Sequence, residues 1–584
     1  MGPSHPGPSD EQKRLMDKAA NRTILLSGII MVLNCHAVLR HELAPDWPML
    51  IACSLVVGFL VLVFPVNRHH HISSGTVNLS ALVSAAATTV AMHASPLPWS
   101  VIGTPLGLSL AVLALAVYAG VCLVAAGMFM DWRDRRRAMR KPPLMPGGTA
   151  WQPFVSIHVP LCKAPMDHVR ATLDSLEQLH WQNYEVLLIE HGGNGDEHPE
   201  LAALCEQYGP RFRLLHAEGG RGAALNQARK ACDPQTDIIG VVHAGTRAIP
   251  QLLHDLVSQF QADSVGIVHA GLSFRDGGKN LFKAICEADY RSQLFTGMRR
   301  CDRDDAVIHH EKLVFIRRNV LDELGGWDEQ AWLEDAALDL QAVEYGYEIV
   351  YLATPYGSTL LPECFSDYRQ QRFRWIFGAI DLFRRRAAAW PVGLRARLLG
   401  SLLPWMNDGL IVALSIAAII WSLALIPLPD VFMPPPLAMT ALLMAPVLLK
   451  IARSMHHMRS RVEASLRQSL AATFASLALT QLGAMALISA FRAFSPRQAA
   501  PGTRGPGDGL ETNLQLAHRE ILLLLLLLLS MILLAFNTPI HDWRWISWLM
   551  LLGLLALPYG CMLLMALVAS LRFLPASWVR SGIA

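Results

Sequence analysis

The stretch at 327–351, WDEQAWLEDAALDLQAVEYGYEIVY, sets two carboxylates, Glu334 and Asp335, at the start of an apolar helical pattern that runs through Leu338 and Leu340. A carboxylate at a helix N-terminus can simply cap backbone N–H groups and meet the positive end of the helix dipole. Beside a sugar hydroxyl, the same group can act as a general base. A second stretch, FSDYRQQRFRWIFGAIDLFRRR at 365–386, brings Gln371, Arg374 and Trp375 to one side of a helix. Amide and guanidinium suit hydroxyl and phosphate oxygens, and indole suits the flat apolar face of a sugar ring. An interfacial helix lying on a membrane also favours Arg and Trp, so both readings stand.

Two further stretches contribute polar groups. In DIIGVVHAGTRAIP (237–250), a buried apolar run ends abruptly at His243-Ala244-Gly245, a tip with no carboxylate. In GGRGAALNQARKA (219–231), Arg221 opens a helix after a glycine turn. That turn reads equally as a phosphate-binding loop or as an ordinary entry into a helix.

These residues need a scaffold to hold them. FVSIHVPL, YEVLLIE, RFRLLHAE and DIIGVVHAG read as buried strands, and MDHVRATLDSLEQL and the segment after GGRGA read as helices. Alternation at this spacing predicts an α/β fold with a mostly parallel sheet that takes ligands at its carboxyl edge.

The whole chain is more apolar than a soluble protein. Of 584 residues, 52% are hydrophobic and 17% charged, and the apolar residues fall in blocks. Blocks near 23–38, 48–66, 77–95 and 101–130 precede the α/β segment; others near 401–427, 437–451, 466–490, 520–536 and 545–571 follow it. The block EILLLLLLLLSMILLAF makes the chain integral to a membrane. Basic clusters at 131–141 and 383–397 flank the α/β segment and place it in the cytoplasm by the positive-inside rule. The expected organisation is therefore a cytoplasmic tail at 1–22, four transmembrane helices in 23–130 and a cytoplasmic domain at 131–400 that ends in interfacial helices. A C-terminal membrane region at 401–584 follows, with about four helices, an interfacial or re-entrant helix near 466–490 and a Pro/Gly-rich loop at 494–512.

A formal charge of +3 argues against a nucleic-acid partner, and ten scattered cysteines without a CxxC pair argue against a disulfide framework or a cysteine metal site. The triplet His69 to His71 reads as a titrating loop, with a metal site as the alternative.

Taken together, Gln371-Arg-Phe-Arg-Trp375, Leu333-Glu-Asp335, VSIHVP, YEVLLIE, RGAALN, DGGKNLFK and FIRRNVLDELGGW between membrane spans resemble the membrane-embedded processive glycosyltransferases of family 2. Cellulose, hyaluronan and related bacterial β-glycan synthases belong to that family. The resemblance covers about residues 150–400 in detail. It implies a glycosyltransferase-A-type domain inserted between N- and C-terminal transmembrane bundles in a bacterial inner membrane. It also implies a UDP-sugar donor, a glycan acceptor, and other exopolysaccharide-synthesis subunits as partners. Carried over by position, Asp335 is the base, with Glu334 beside it. Gln371, Arg374 and Trp375 hold the acceptor and the diphosphate. Glu190, Arg221, His243 and Gly245 take the donor positions.

The departures all concern the donor. The acid of the first-strand loop is missing from Leu161-Cys-Lys-Ala164. Glu190 stands where the family has a uridine-binding Asp, and His243-Ala244-Gly245 stands where it has D-x-D. HHEKLVF (309–315) replaces a further family motif. The family's Mg²⁺ or Mn²⁺ thereby loses both acids, and no metal ligand is assigned. Arg221, Arg374 and Arg247 could instead neutralise the diphosphate. The readings that follow are an active polymerising glycosyltransferase and a catalytically silent subunit that scaffolds or gates a partner synthase. A transporter carrying an α/β domain is a third reading, which the ordered motifs disfavour.

Overall fold

The computed structural model describes residues 151–580, except 163, 193–198, 305–312, 389, 391, 428–433, 436, 461, 493–508 and 538–541. The four N-terminal apolar blocks, His69 to His71, most of the 494–512 loop and part of HHEKLVF lie outside those residues.

The strands are β1 (Phe154–Leu161), β2 (Tyr184–His191), β3 (Phe212–Ala217), β4 (Thr236–Val242), β5 (Arg247–Ala248), β6 (Val265–Phe274), β7 (Leu313–Arg317) and β8 (Glu348–Thr359). They form one sheet in the order β3-β2-β1-β4-β7-β6-β8-β5. The pairs β3/β2, β2/β1, β1/β4 and β6/β8 are parallel. β7 is antiparallel to β4 and to β6, and β5 is antiparallel to β8. β4, β6 and β8 consequently run the same way and end at one carboxyl edge. The expected α/β architecture with a mostly parallel sheet is the one observed.

Strand alternation divides the core between the two faces. Val155, Ile157 and Val159 join a cluster with α1 (Met166–Glu177) and Leu252, Leu253 and Leu256 of α4 (Leu252–Gln259). On the other face, Leu187, Ile189, Ile239 and Val241 pack with Ala224, Leu225 and Ala228 of α3 (Arg221–Ala231). α2 (Pro199–Tyr208) lies beside β3. Leu338 and Ala342 of α7 (Glu334–Glu344) belong to the same cluster as α3, together with Val320 and Leu321 of α6 (Arg318–Glu323). The carboxylates and the Arg221 helix therefore lie on one side of the sheet.

α5 (Leu281–Asp304) and α8 (Phe365–Arg386) leave the sheet and enter the core of a helical bundle. That bundle comprises α9 (Val392–Leu425), α10 (Leu437–Ser460), α11 (Leu466–Ala478), α12 (Thr480–Phe491), α13 (Leu510–Leu516), α14 (His518–Asn537) and α15 (Trp543–Ser570). Among the described residues, three segments are long and apolar enough to cross a membrane: Pro404–Leu425, His518–Asn537 and Trp543–Ser570. The block near 466–490, read as an interfacial or re-entrant helix, is two helices, α11 and α12, bent by 45°. The pair makes either a broken span or a re-entrant loop, because neither half alone is long enough to cross.

Buried charge joins the two parts. Arg369 Nη2 lies 2.9 Å from Glu520 Oε1 of α14, with both side chains almost fully buried. Arg372 Nε lies 3.4 Å from Asp289 Oδ2 of α5, and Tyr368 Oη donates to the same oxygen at 2.8 Å. A helix pinned at two buried charges cannot slide without exposing one of them, at a cost of about 3–5 kcal/mol per broken pair.

Packing at the sheet centre is close. A Cβ at Gly240 on β4 would stand 2.4 Å from Phe315 Cε1 on β7. Gly240→Val should destabilise the domain by about 1–3 kcal/mol, read as a lower melting temperature in detergent, while Ile239→Val on the opposite face should cost less.

Candidate active site

The site is built around one guanidinium. Arg221 is the first residue of α3 and reaches the first turn of α7, 113 positions along the chain. One of its nitrogens bonds Glu334 Oε1; the other lies 3.0 Å from Asp335 Oδ2 and 2.6 Å from His243 Nε2 at the tip of β4. Four residues named from sequence thus meet in one cluster: Arg221, His243, Glu334 and Asp335.

Their positioning is local and specific. Asn226, one turn and a half along α3, donates to Trp327 O at 2.9 Å and to Glu329 Oε1 at 3.0 Å, and accepts from Trp327 N at 2.9 Å. This clamp holds the loop that delivers Glu334 and Asp335. Both acids then occupy the first turn of α7, where the helix dipole favours negative charge.

Two carboxylates share one cation in a half-closed site. Burial raises the Glu334 carboxyl above the usual glutamate range; Arg221 opposes the rise and Asp335 adds to it. For Arg221, burial works against the charge, but the two carboxylates outweigh it and its pKa lies above the ordinary arginine value. His191, at the end of β2, is pushed down first by burial and then by the Arg221 charge, which favours its neutral form. Asp335 uses its two oxygens unequally. Oδ2 faces Arg221, whereas the buried Oδ1 has no hydrogen-bond partner among the described residues. A buried carboxylate oxygen left open requires an explanation.

The other sequence-named residues divide into two groups. Gln371 Oε1 accepts from Tyr290 Oη of α5 at 2.6 Å, and the Trp375 ring meets the Tyr290 ring at 5.2 Å, edge-on. The guanidinium of Arg372 lies 5.6 Å from the centre of the Trp375 ring, and Arg374 is exposed. This second cluster is joined to the first through the residues just before α7. Trp332 meets Phe377 edge-on at 6.1 Å, and a Cβ at Gly378 would lie 2.5 Å from Leu333 Cγ. Gly378 therefore lets α8 approach the N-terminus of α7.

The remaining donor positions stand apart. Glu190 Oε2 faces His216 Nδ1 on β3 at 3.0 Å. Gly245 adopts φ +86, a left-handed conformation natural to glycine, and its N–H donates to His168 O at 3.2 Å and Thr172 Oγ1 at 2.9 Å. Its amide is committed to α1.

The D-x-D position does not fit a divalent metal in this chain. His243 Nε2 is in contact with a guanidinium, and Ala244 and Gly245 have no side-chain ligand atom. A hard divalent cation needs several oxygen ligands and would face a neighbouring positive charge here. Among the described residues, no three His, Cys, Asp or Glu side chains gather as a metal-holding group. Tyr290 carries no sequence motif, and Asn226 and Arg372, although they fall within RGAALN and Gln371-Arg-Phe-Arg-Trp375, were not singled out; their long-range contacts reveal all three.

A mostly parallel α/β sheet with acids and cations gathered at its carboxyl edge, joined to apolar helices, has the architecture of a glycosyltransferase of the A type. Residues 238–452 match the family described as "Glycosyl transferase family group 2". The chain is 26% identical over 289 residues to the cellulose synthase catalytic subunit [UDP-forming] of Xanthomonas axonopodis pv. citri, covering 47% of this chain and 38% of that one. It is 24% identical to cellulose synthase 1 of Komagataeibacter xylinus over 64% of this chain and 23% of that one. The chain thus spans well under half the length of these relatives. A mannosyltransferase from Pyrobaculum calidifontis, solved with GDP-Man and Mn²⁺, superposes with a TM-score of 0.45 at 17% identity, over 66% of this chain and 99% of that one.

Two outcomes follow from the shared guanidinium. Arg221→Ala leaves two part-buried carboxylates without their cation and should destabilise the domain by about 3 kcal/mol, measured by thermal unfolding in detergent. The raised folded pKa of Glu334 has a definite sign. Its contribution is present below the unfolded glutamate value and is lost as pH rises through the folded value. Melting temperature should therefore fall over that range in the wild type and fall less in Glu334→Gln.

Proposed function

We propose that this protein is a membrane-integrated glycosyltransferase that moves a sugar from a UDP-sugar to the hydroxyl of a growing β-glycan. The single observation that carries the reading is the buried Oδ1 of Asp335, which has no hydrogen-bond partner among the described residues. Arg221 engages Oδ2 and orients the group, and Oδ1 is left to accept a proton.

In this reading the acceptor hydroxyl gives its proton to Asp335 Oδ1 as its oxygen attacks the anomeric carbon. The bond from that carbon to the diphosphate breaks on the opposite face, UDP leaves, and configuration inverts. A base so placed contributes about 10²–10⁴-fold. Gln371 and Trp375, held by Tyr290, present an amide and an indole to the acceptor sugar, and the exposed Arg374 reaches toward the diphosphate. Glu190 is assigned to the nucleoside. Glu334 shares Arg221 with the base and sets its position. The cellulose synthase relatives support the β-glycan product, and the three apolar helices support a membrane setting. The inner membrane of a bacterium, a cytoplasmic catalytic domain, passage of the glycan across the bilayer and other exopolysaccharide-synthesis subunits belong to the same proposal.

One observation favours a second reading, a catalytically silent subunit that scaffolds or gates a partner synthase. It is the His243-Ala244-Gly245 tip, which lacks both acids of D-x-D.

UDP release by the purified protein from a panel of UDP-sugars separates the two. Asp335→Asn should lower release by at least 10²-fold with UDP affinity retained. Absence of release by the wild type with every donor, with and without divalent metal, would falsify the catalytic reading in favour of the silent one.

A further inference from the structure

Of the arginines that could meet a diphosphate, Arg221 is already engaged: two carboxylates and a histidine use its terminal nitrogens. Two others are not so engaged. Arg247 opens β5 four residues beyond His243 and is exposed, and its guanidinium makes no hydrogen bond or ion pair among the described residues. Arg275 follows β6 and is half-buried. Its Nη1 donates to Ser358 O at 2.9 Å, its backbone N–H donates to Thr359 O at 3.2 Å, and it forms no ion pair among the described residues.

The two share a neighbour. Arg247 is the register partner of Ser358 across β5 and β8, and Arg275 bonds the carbonyl of that same residue. The carboxylate next in sequence, Asp276, is taken: Oδ2 accepts from Lys283 Nζ at 2.7 Å and Oδ1 from Leu361 N at 3.0 Å. Burial, and then the Arg247 charge, push the Arg275 pKa below its ordinary value, as expected for two like charges held together. The pair lies where β6 and β8 end, at the sheet edge that β4 also reaches, and ligands of open α/β sheets bind outside that edge.

We infer that Arg247 and Arg275 form the site for the donor's diphosphate and neutralise it without a divalent metal ion. Two planar guanidinium groups can each offer paired N–H donors to phosphate oxygens, and together they carry the charge of one divalent cation. The misfit of a metal at His243-Ala244-Gly245 and the unneutralised pair beyond it then have one explanation. The inference rests on the reading of this chain as a UDP-sugar glycosyltransferase.

Calorimetric titration of the purified full chain with UDP, once in EDTA and once in MnCl₂, tests it. The dissociation constants should agree within about twofold, and binding in EDTA should weaken by at least about tenfold in Arg247→Glu and in the Arg247→Ala/Arg275→Ala double variant, as expected on losing charge-assisted bonds. Since the Arg247 side chain has no bonded partner among the described residues, Arg247→Glu should melt at the wild-type temperature, which separates lost binding from lost folding. UDP binding that requires Mn²⁺, or unchanged affinity in Arg247→Glu, overturns the inference and leaves the glycosyltransferase reading standing. No UDP binding in either buffer overturns both. Phosphatidylglycerol vesicles bound by the wild type and released by these variants, with UDP affinity unchanged, would assign the pair to a lipid headgroup and also overturn it.

Discussion

Everything at the catalytic edge depends on where the Arg221 guanidinium goes. It is a single positive charge placed between two carboxylates and an imidazole drawn from the loop before α7 and the tip of β4. Without it, Glu334 and Asp335 would be adjacent acids in a half-closed site, and each would raise the other. With it, one oxygen of Asp335 is fixed and the other is left open. The same contact occupies His243 and removes it from any set of metal ligands. Orientation of the proposed base and loss of the metal position thus have one physical cause.

The acceptor residues depend on a different constraint, close approach. Gly378 lacks a Cβ at the point where Leu333 meets α8, so α8 comes close to the N-terminus of α7. α8 is in turn anchored to α14, a helix long and apolar enough to cross a membrane, by the Arg369–Glu520 pair and to α5 by Asp289. A shift in the bundle would therefore be carried to Gln371 and Trp375, and through Leu333 to Asp335. The geometry couples the candidate site to the apolar helices through packing and buried ion pairs.

Parts of this were legible in the residues. Apolar runs and helical spacing announced β1, β2, β4, α1 and α3, because burial on one or both faces imposes its period on the chain. Glu334 and Asp335 were legible as acids opening a helix, and Gln371, Arg374 and Trp375 as a set on one side of another. The antiparallel β7, inserted between β4 and β6, was not, since strand pairing is set by contacts distant in sequence. Nor was the break between α11 and α12, because both halves are equally apolar and composition does not register a bend. Tyr290 carries no motif of its own; its importance comes from lying against Gln371 and Trp375.

By itself the sequence determined the inventory: an α/β domain joined to apolar helices, two acids at a helix start, a family 2 pattern, and a strand tip without its carboxylates. Short-range chemistry suffices for that, since period, composition and motif order are properties of neighbouring residues. Only the tertiary structure decided how the charges are allotted. Seen as letters, Arg221, Arg247, Arg275 and Arg374 are equivalent cations. Folded, Arg221 is consumed by the acids, and Arg247 and Arg275 are left facing the sheet edge with no carboxylate bonded to them among the described residues. Electrostatic partnership depends on distance in space, and 113 residues of chain separate Arg221 from the carboxylate that claims it.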